Sequence, residues 1–363
     1  MQSNDKKKIC IVVSSLGKGG AERSSAILSK ILVGLGHDVH IVSVLNRIDY
    51  SYAGTLLNLG TLKDHNDSFV GRLQRLWHFK KYLKAQQFDL IIDSRSRPTV
   101  LKELLISQLL YKKQKVLYYV HSWKLSMYFS SSTFFAKIIY RNALGFVAVS
   151  QEIKKQIISV LGFENTQVVY NGIDSRENHT KANQAIDFDE DYILYYGRLD
   201  DKVKNISLLM EAYKASVLPS RNIKLLILGD GKDLDFLKQR ANTDQIRFKP
   251  FAKNPFPYIK HARFLMLTSR FEGFPLVLLE ALSIGKPVIS VNCMSGPNEI
   301  IKHQDNGLLV ENNNVAALVK AMNSFIFDTA LYRQCADNAE KSVQKFSVAS
   351  ITKQWHSLIE QLL

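Results

Sequence analysis

The chain has 363 residues, which is more than a single hydrophobic core usually supports, and two domains of roughly 170 residues each fit this length. Its hydrophobic content of 46% is ordinary for a folded protein and excludes a disordered chain. No stretch reaches about 18 uncharged apolar residues, and the apolar run after the charged amino terminus is too short for a signal peptide, so neither a membrane span nor export is predicted. Three widely spaced cysteines without metal-ligand spacing indicate a reducing, cytoplasmic compartment.

The net charge of +15 is concentrated in one half of the chain. Residues 1–172 contain 24 Lys and Arg against 11 Asp and Glu, whereas residues 173–363 contain 24 against 22. A basic half favours an acidic partner, such as anionic lipid, a phosphorylated glycan or nucleic acid. A merely solvated basic surface explains the same numbers, so both interpretations stay open.

The first predicted element is a buried strand over residues 8–14, which leads into a glycine-rich turn and a helix over residues 21–35. Glycines between a strand and a helix let backbone amides approach a phosphate. Gly17, Gly19 and Gly20 do not have the spacing of a dinucleotide-binding fingerprint. A phosphate site and a plain tight turn are therefore both open for this loop.

Alternating strands and helices continue through the first half of the chain. The further predicted strands lie at residues 38–44, 89–93, 115–121, 145–150 and 167–170. This alternation predicts an α/β domain with a parallel sheet covered on both faces and a ligand site at the carboxyl ends of the strands. His121 ends one of these strands, a position where a histidine is more often a hydrogen-bonded structural residue than a catalytic one.

Residues 69–84 form a predicted basic amphipathic helix, with Leu73, Leu76, Trp77 and Leu83 near one face. The basic side chains beside this stripe are Arg72, Arg75, Lys80, Lys81 and Lys84. Such a helix can lie on an anionic membrane, but the commoner arrangement packs the apolar stripe into the sheet. Residues 123–139 are a second candidate for membrane contact.

Residues 175–190 are polar and lack apolar periodicity, so they are predicted as the linker between the two domains. Asp187 and Asp189 have the spacing of a metal-binding pair. Because both lie in the predicted linker, we expect no metal role for them.

A strand from Tyr192 opens the second predicted sheet and is followed by Arg198 and Lys204. An arginine at a strand end and a lysine near a helix start offer two positive charges that converge where a diphosphate would lie. Two solvated surface cations are the alternative. The other predicted strands of this sheet lie at residues 223–229, 245–248 and 264–267.

The segment from Thr268 to Ser290 predicts a strand end, a turn carrying Glu272, a helix opening at Pro275 and another strand. The helix is apolar on nearly all sides except for Glu280, and a buried carboxylate is costly unless strong donors meet it. Two ribose hydroxyls are such donors, so the pattern favours a nucleotide-sugar site. In the alternative, Glu280 accepts hydrogen bonds from a neighbouring loop and Glu272 is an ordinary turn residue.

The run from Phe271 to Ala281, with Glu272 and Glu280 separated by seven residues, resembles the signature of the retaining glycosyltransferases of family 4, which have the GT-B fold. The continuation from Asn292 to Ile301 is similar to the bacterial lipopolysaccharide-core galactosyltransferases of that family. The order of the motifs matches over essentially the whole chain. The resemblance implies Rossmann-like domains at residues 1–172 and 191–345, a linker at residues 173–190, and a last helix at residues 346–363 that returns to the first domain.

The same resemblance implies roles for individual residues. Catalytic roles fall on Glu272, His121, Arg198 and Lys204, with His121 contacting the donor sugar and Glu272 lying close to the hexose hydroxyls. The implied donor-binding set is Gly19, Gly20, Arg198, Lys204, Phe251, Glu272, Gly273, Phe274, Pro275, Leu276 and Glu280.

These features predict a retaining, metal-independent transferase without a cofactor, which moves a hexose, with galactose expected, from a UDP-sugar to a lipopolysaccharide, capsule or lipid-linked glycan. The alternatives are a UDP-N-acetylhexosamine transferase, a nucleotide-sugar epimerase and a non-catalytic binding protein. Glycoside hydrolysis is disfavoured because Glu272 precedes the predicted helix whereas Glu280 lies within it, so the two carboxylates are not expected to flank one bond. We expect a donor, a glycan acceptor and the anionic inner face of the cytoplasmic membrane as partners, and no nucleic acid.

Overall fold

The computed structural model describes residues 5–363, and the chain divides into two compact units. The described part of the first unit runs to Gly172 and resumes at Val348, and the second unit is Ile173–Ser347. The charged amino terminus noted in the sequence includes residues 1–4, which lie outside the described residues. No helix within residues 5–363 is long and apolar enough to cross a membrane.

The first unit contains a parallel sheet of seven strands in the order β3-β2-β1-β4-β5-β6-β7. These strands are β1 (Lys8–Val13), β2 (Asp38–Ser43), β3 (Thr55–Asn58), β4 (Leu90–Asp93), β5 (Val116–Val120), β6 (Ala143–Ala148) and β7 (Thr166–Val168). The central strands are apolar and fully buried because helices cover both faces of a sheet of this type. The expected α/β class and parallel sheet are confirmed.

Six α-helices lie within residues 5–172, and a π-helical turn at Ile106–Leu110 continues the fourth. They are α1 (Gly20–Gly34), α2 (Leu59–His65), α3 (Phe69–Gln86), α4 (Val100–Leu105), α5 (Thr133–Tyr140) and α6 (Gln151–Leu161). Helix α1 begins directly after the glycine-rich loop and buries Ala26, Leu28, Ile31 and Leu32. Helix α3 is capped by Ser68, whose hydroxyl accepts a hydrogen bond from the Gly71 amide.

The second unit contains a parallel sheet of six strands in the order β10-β9-β8-β11-β12-β13. These strands are β8 (Tyr192–Tyr196), β9 (Lys224–Leu228), β10 (Ile246–Lys249), β11 (Leu265–Leu267), β12 (Val288–Val291) and β13 (Gly307–Val310). The helices are α7 (Ser175–Ala182), α8 (Asp201–Lys204), α9 (Ile206–Ala215), α10 (Leu234–Ala241), α11 (Phe256–His261), α12 (Leu276–Leu282), α13 (Pro297–Ile300), α14 (Val315–Phe327) and α15 (Thr329–Ser342).

The segment predicted as a linker belongs to the second unit and contains helix α7. Asp174 caps this helix, and the buried Asn178 donates a hydrogen bond to the Ser283 hydroxyl at 2.9 Å. The carboxylate of Asp187 accepts hydrogen bonds from Lys249 and Tyr258. The sequence pattern missed this packing because polar contacts, rather than an apolar stripe, attach the segment to its unit.

The last helix, α16 (Val348–Leu362), packs on the first unit, as expected. Its buried face consists of Ile351, Trp355, Leu358 and Ile359. The Trp355 ring contacts Tyr119 of β5 edge-on, with 5.4 Å between ring centroids.

We expect Trp355→Ala to lower the free energy of unfolding of the first unit by about 3 to 5 kcal/mol, because it removes a fully buried aromatic side chain and leaves a cavity. Urea unfolding followed by far-ultraviolet circular dichroism measures this loss. The exposed Ser357 on the same helix provides the control Ser357→Ala, and equal losses in the two variants would contradict the docking of α16 through Trp355.

Candidate functional site

An ion pair in the second unit joins two of the residues singled out from the sequence. The Lys204 ammonium lies 2.7 Å from Glu272 Oε1, and the Ser269 hydroxyl donates to the same oxygen at 2.5 Å. Both charged side chains are mostly buried, with 20% and 12% of their surfaces exposed. A charge-assisted hydrogen bond of this kind fixes the position of both groups.

The turn that carries Lys204 is fastened to the loop after β11. The Thr268 hydroxyl donates to the Lys204 carbonyl at 3.2 Å, and the Arg270 amide donates to the Val203 carbonyl at 2.8 Å. Asn205 has a left-handed backbone, with φ of 51°, and its side-chain oxygen accepts a hydrogen bond from Arg270. The lysine is therefore held by backbone contacts that are independent of its own charge.

The loop after β12 holds the Glu272 turn from its other side. The Glu272 amide donates to the Met294 carbonyl at 3.0 Å, and the Ser295 hydroxyl donates to the Gly273 carbonyl at 2.6 Å. Gly296 has a φ of 99°, and a side chain there would collide with Pro275. This packing explains why the Ser-Gly-Pro sequence after β12 accompanies the Glu-Gly-Phe-Pro sequence after β11.

Arg198 lies in the loop after β8 and is exposed. The Tyr195 hydroxyl donates to the Arg198 carbonyl at 3.1 Å. Burial, and then the negative charge of Glu272, raise the pKa of Tyr195, while the positive charge of Arg198 acts in the opposite direction. Arg198, Lys204 and Glu272 thus lie in segments that follow the neighbouring strands β8 and β11, at the carboxyl edge of the sheet.

The loop that carries Arg198 is packed tightly against the loop after β9. The Leu199 amide donates to the Asp230 carbonyl at 2.8 Å. A side chain at Gly229 would collide with the Gly197 carbonyl, and one at Gly231 would collide with the Leu199 carbonyl. Glycines are required on this neighbouring strand end because the two backbones approach so closely.

Other predicted donor-binding residues have buried side chains. Glu280 is fully buried within α12, and Leu276 and Phe274 are 7% and 4% exposed. The Phe274 ring packs against Phe346 with 5.1 Å between centroids. Phe274 and Leu276 therefore serve the core with their side chains, and only their backbone is suited to a donor. Phe251 is half-buried after β10, at the same carboxyl edge of the sheet.

The remaining predicted residues, His121, Gly19 and Gly20, belong to the first unit. His121 follows β5, and its Nε2 lies 2.8 Å from the Ser94 hydroxyl, which lies 2.7 Å from the Ser25 hydroxyl of α1. Burial, with a smaller effect from the positive charge of Arg97, lowers the pKa of His121 to about 3, so its imidazole is neutral at physiological pH. Gly19 caps α1, and a side chain there would collide with the Glu22 carboxylate.

Sequence analysis missed a buried ionic cluster at the end of β4, formed by Asp93, Arg95, Arg97 and Glu103. Arg95 lies 2.6 Å from Asp93 and 3.1 Å from Glu103. Burial opposes ionisation of Asp93, but the charges of Arg95 and Arg97 outweigh it and lower its pKa. The available signal was the alternation Asp-Ser-Arg-Ser-Arg directly after an apolar strand.

Two family models match consecutive parts of the chain. Glycosyltransferase Family 4 matches residues 18–177, and Glycosyl transferases group 1 matches residues 176–342. The two matches meet at the boundary between the units and together span all the predicted site residues.

Similar proteins include an N-acetylgalactosamine-N,N'-diacetylbacillosaminyl-diphospho-undecaprenol 4-alpha-N-acetylgalactosaminyltransferase of Campylobacter jejuni, which is 26% identical over 96% of this chain and 98% of the relative. A lipopolysaccharide 1,6-galactosyltransferase of Escherichia coli is 31% identical, but over 50% of this chain and 52% of the relative. Among solved structures, Anabaena HepE in complex with UDP and glucose has a TM-score of 0.78 and 20% identity, with 98% of this chain and 100% of that chain covered.

The two family matches, the paired parallel sheets and the similarity of the fold over nearly the full length lead to one assignment. The chain belongs to the family 4 glycosyltransferases and has the GT-B fold.

Proposed function

We propose that the protein transfers a hexose, with retention of configuration, from a UDP-sugar to a lipid-linked or lipopolysaccharide glycan. The observation that carries this proposal is the mostly buried ion pair between Lys204 and Glu272 at the carboxyl edge of the second sheet, where Arg198 follows the neighbouring strand. Departure of a nucleoside diphosphate develops negative charge, and preorganised cations stabilise it. Arg198 is exposed and free of the core, whereas Lys204 is held in place by its turn.

Lys204 and Glu272 have complementary tasks in this scheme. An ammonium group has three donors, so Lys204 can keep its hydrogen bond to Glu272 and still donate to a phosphate oxygen. Within residues 5–363, the two side-chain hydrogen bonds to the Glu272 carboxylate both end on Oε1. We assign Oε2 to a hydroxyl of the transferred sugar.

The same contacts argue against an epimerase. An epimerase needs a carboxylate or another base that is free to take a proton from the sugar. Glu272 instead accepts hydrogen bonds from Lys204 and Ser269, which hold its carboxylate in place and occupy Oε1. We also propose that no metal ion takes part, because two side-chain cations are placed for the charge of the diphosphate.

Galactose is our first candidate for the hexose, on the basis of the motif from Asn292 to Ile301 and the similarity to the galactosyltransferase of Escherichia coli. N-acetylgalactosamine is the second candidate, because the similarity to the Campylobacter jejuni N-acetylgalactosaminyltransferase extends over 96% of this chain. That relative acts on a diphospho-undecaprenol glycan, which supports an acceptor at the cytoplasmic face of the membrane.

A panel of UDP-hexoses and UDP-N-acetylhexosamines, incubated with short diphospholipid-linked glycans in the presence of EDTA, tests this function. We expect acceptor-dependent release of UDP and an α-configured product by nuclear magnetic resonance. Donor conversion to an epimer without UDP release, inversion at the anomeric carbon, or loss of activity with EDTA would each overturn the corresponding part of the proposal.

Arg198→Ala and Lys204→Ala should each lower kcat/KM by about a hundredfold or more, because each removes a cation from the leaving diphosphate. Steady-state release of UDP measures the effect. Lys202 lies on the same short helix and is exposed, so Lys202→Ala is the matched control. A loss in Lys202→Ala comparable with that in Lys204→Ala would show that net charge, rather than the placement of Lys204, is what matters.

Glu280→Gln should weaken binding of free UDP by about tenfold, because a neutral amide is a poorer partner for two ribose hydroxyls than a carboxylate. Glu272→Gln should leave UDP binding nearly unchanged and reduce discrimination among donor sugars. Calorimetry with UDP and with intact donors separates the two effects, and thermal melting confirms that each variant folds. The opposite pattern would mean that the two glutamates have exchanged roles.

A further inference from the structure

Helix α3 has two apolar faces, and only one of them is buried. Phe79 and Leu83 face the core. Leu73 and Trp77, which lie about 120° around the helix from that pair, are 51% and 59% exposed, and Phe69 at its start is 75% exposed. The sequence left open whether the stripe of α3 packs into the sheet, and the structure buries Leu83 but leaves Leu73 and Trp77 exposed.

Exposed apolar side chains also occur on neighbouring elements of the first unit. Helix α4 contacts both α5 and the π-helical turn, and Phe79 of α3 contacts Tyr111 just after that turn, with 6.3 Å between ring centroids. We call the exposed apolar side chains of these elements the apolar face: Phe69, Val70, Leu73, Trp77, Leu101, Leu105, Leu109, Phe134 and Phe135. Leu101 and Leu105 are four residues apart and lie opposite the buried Glu103.

Basic side chains outnumber acidic ones around the apolar face, although the exposed Asp64 and Asp67 lie beside the start of α3, where Asp67 pairs with Arg72 and Arg75. Residues 69–150 contain 14 Lys and Arg but 3 Asp and Glu. Two of these acids, Asp93 and Glu103, are buried in the ionic cluster with Arg95, so Asp89 is the one exposed carboxylate of the segment. The exposed basic residues on or beside the helices of the face are Arg72, Lys80, Lys81, Lys84, Lys102, Lys112, Lys113, Lys137 and Arg141.

This combination fits a lipid surface better than a folded protein partner. Isolated large apolar side chains that project among lysines and arginines can enter the headgroup region while the basic groups contact anionic lipid. Trp77 adds an aromatic ring of the kind enriched at such interfaces, and Lys81 lies 5.4 Å from that ring. The excess of exposed lysines and arginines over exposed carboxylates favours an anionic surface over a basic face of a protein.

We propose that the apolar face inserts into the headgroup region of an anionic phospholipid leaflet and holds the first unit on the membrane. This proposal rests on the proposed function in one respect: the membrane contact would bring the enzyme to a lipid-linked acceptor. The contact combines apolar insertion with charge attraction, so salt should weaken it without abolishing it.

Sedimentation of the full chain with vesicles tests the contact. We expect binding to vesicles that contain phosphatidylglycerol and at least about tenfold weaker binding to pure phosphatidylcholine. The apolar variant Leu73→Ser, Trp77→Ser, Leu101→Ser, Phe134→Ser should lose about tenfold or more of the binding to anionic vesicles, including the part that resists salt. The basic variant Arg72→Gln, Lys80→Gln, Lys81→Gln, Lys84→Gln should lose mainly the salt-sensitive part.

A matched control comes from α10 of the second unit, where Phe236 and Lys238 are exposed. Phe236→Ser with Lys238→Gln should bind vesicles as the unchanged protein does. Brominated lipid should quench the tryptophan fluorescence of the unchanged protein, and Trp77→Phe should remove most of that quenching. Retained vesicle binding in the apolar variant, or quenching unaffected by Trp77→Phe, would overturn the proposal.

Two further measurements separate this proposal from others. Sedimentation velocity without lipid that showed a dimer, abolished in the apolar variant, together with no vesicle binding, would assign the face to self-association and overturn the proposal. Release of UDP with a short soluble acceptor should be unchanged in the apolar variant. If no donor or acceptor supports transfer while the vesicle results are as expected, the proposed function fails and the membrane contact stands.

Discussion

The candidate site of the second unit is built around one contact, the ion pair between Lys204 and Glu272. Neither residue is placed by the pair alone, because Lys204 sits on a turn hydrogen-bonded to the loop after β11, and Glu272 sits on a loop held by the segment after β12. Three strand ends thus determine one distance of 2.7 Å. Preorganisation of this kind avoids the entropy cost of assembling a charged site when a diphosphate binds.

The first unit uses buried charge differently. Its ionic cluster satisfies Asp93 and Glu103 with arginines inside the protein, and Arg97 stacks on Tyr118 and Tyr128, with distances of 4.9 Å and 5.2 Å to the ring centroids. Next to this cluster the neutral His121 imidazole contacts Ser94. One consequence is chemical, since burial and then the positive charge of Arg97 lower the pKa of His121, and the other is electrostatic, since two carboxylates are withdrawn from a basic surface.

The basic residues of the two units are arranged differently, and each arrangement suits a different part of the proposed function. Cations at the carboxyl edge of the second sheet are few and individually placed, as recognition of a defined diphosphate requires. Cations beside the apolar face of the first unit are numerous and exposed, as attraction to a fluid anionic surface requires. Part of the charge excess of residues 1–172 therefore lies on or beside the helices that carry the apolar face.

The α/β class and the parallel strands could be predicted from the sequence, because strand periodicity and glycine turns are local signals. The family and the loops that carry Arg198, Lys204 and Glu272 could be predicted as well, because the spaced glutamate pair is a local motif. The packed helix at residues 175–182 and the ionic cluster around Asp93 were decided by tertiary structure, since polar contacts between distant segments leave no periodic pattern. The orientation of α3 was decided in the same way. Its sequence places Leu73, Leu76, Trp77 and Leu83 near one face, and packing within the first unit buries Leu83 while it leaves Leu73 and Trp77 exposed.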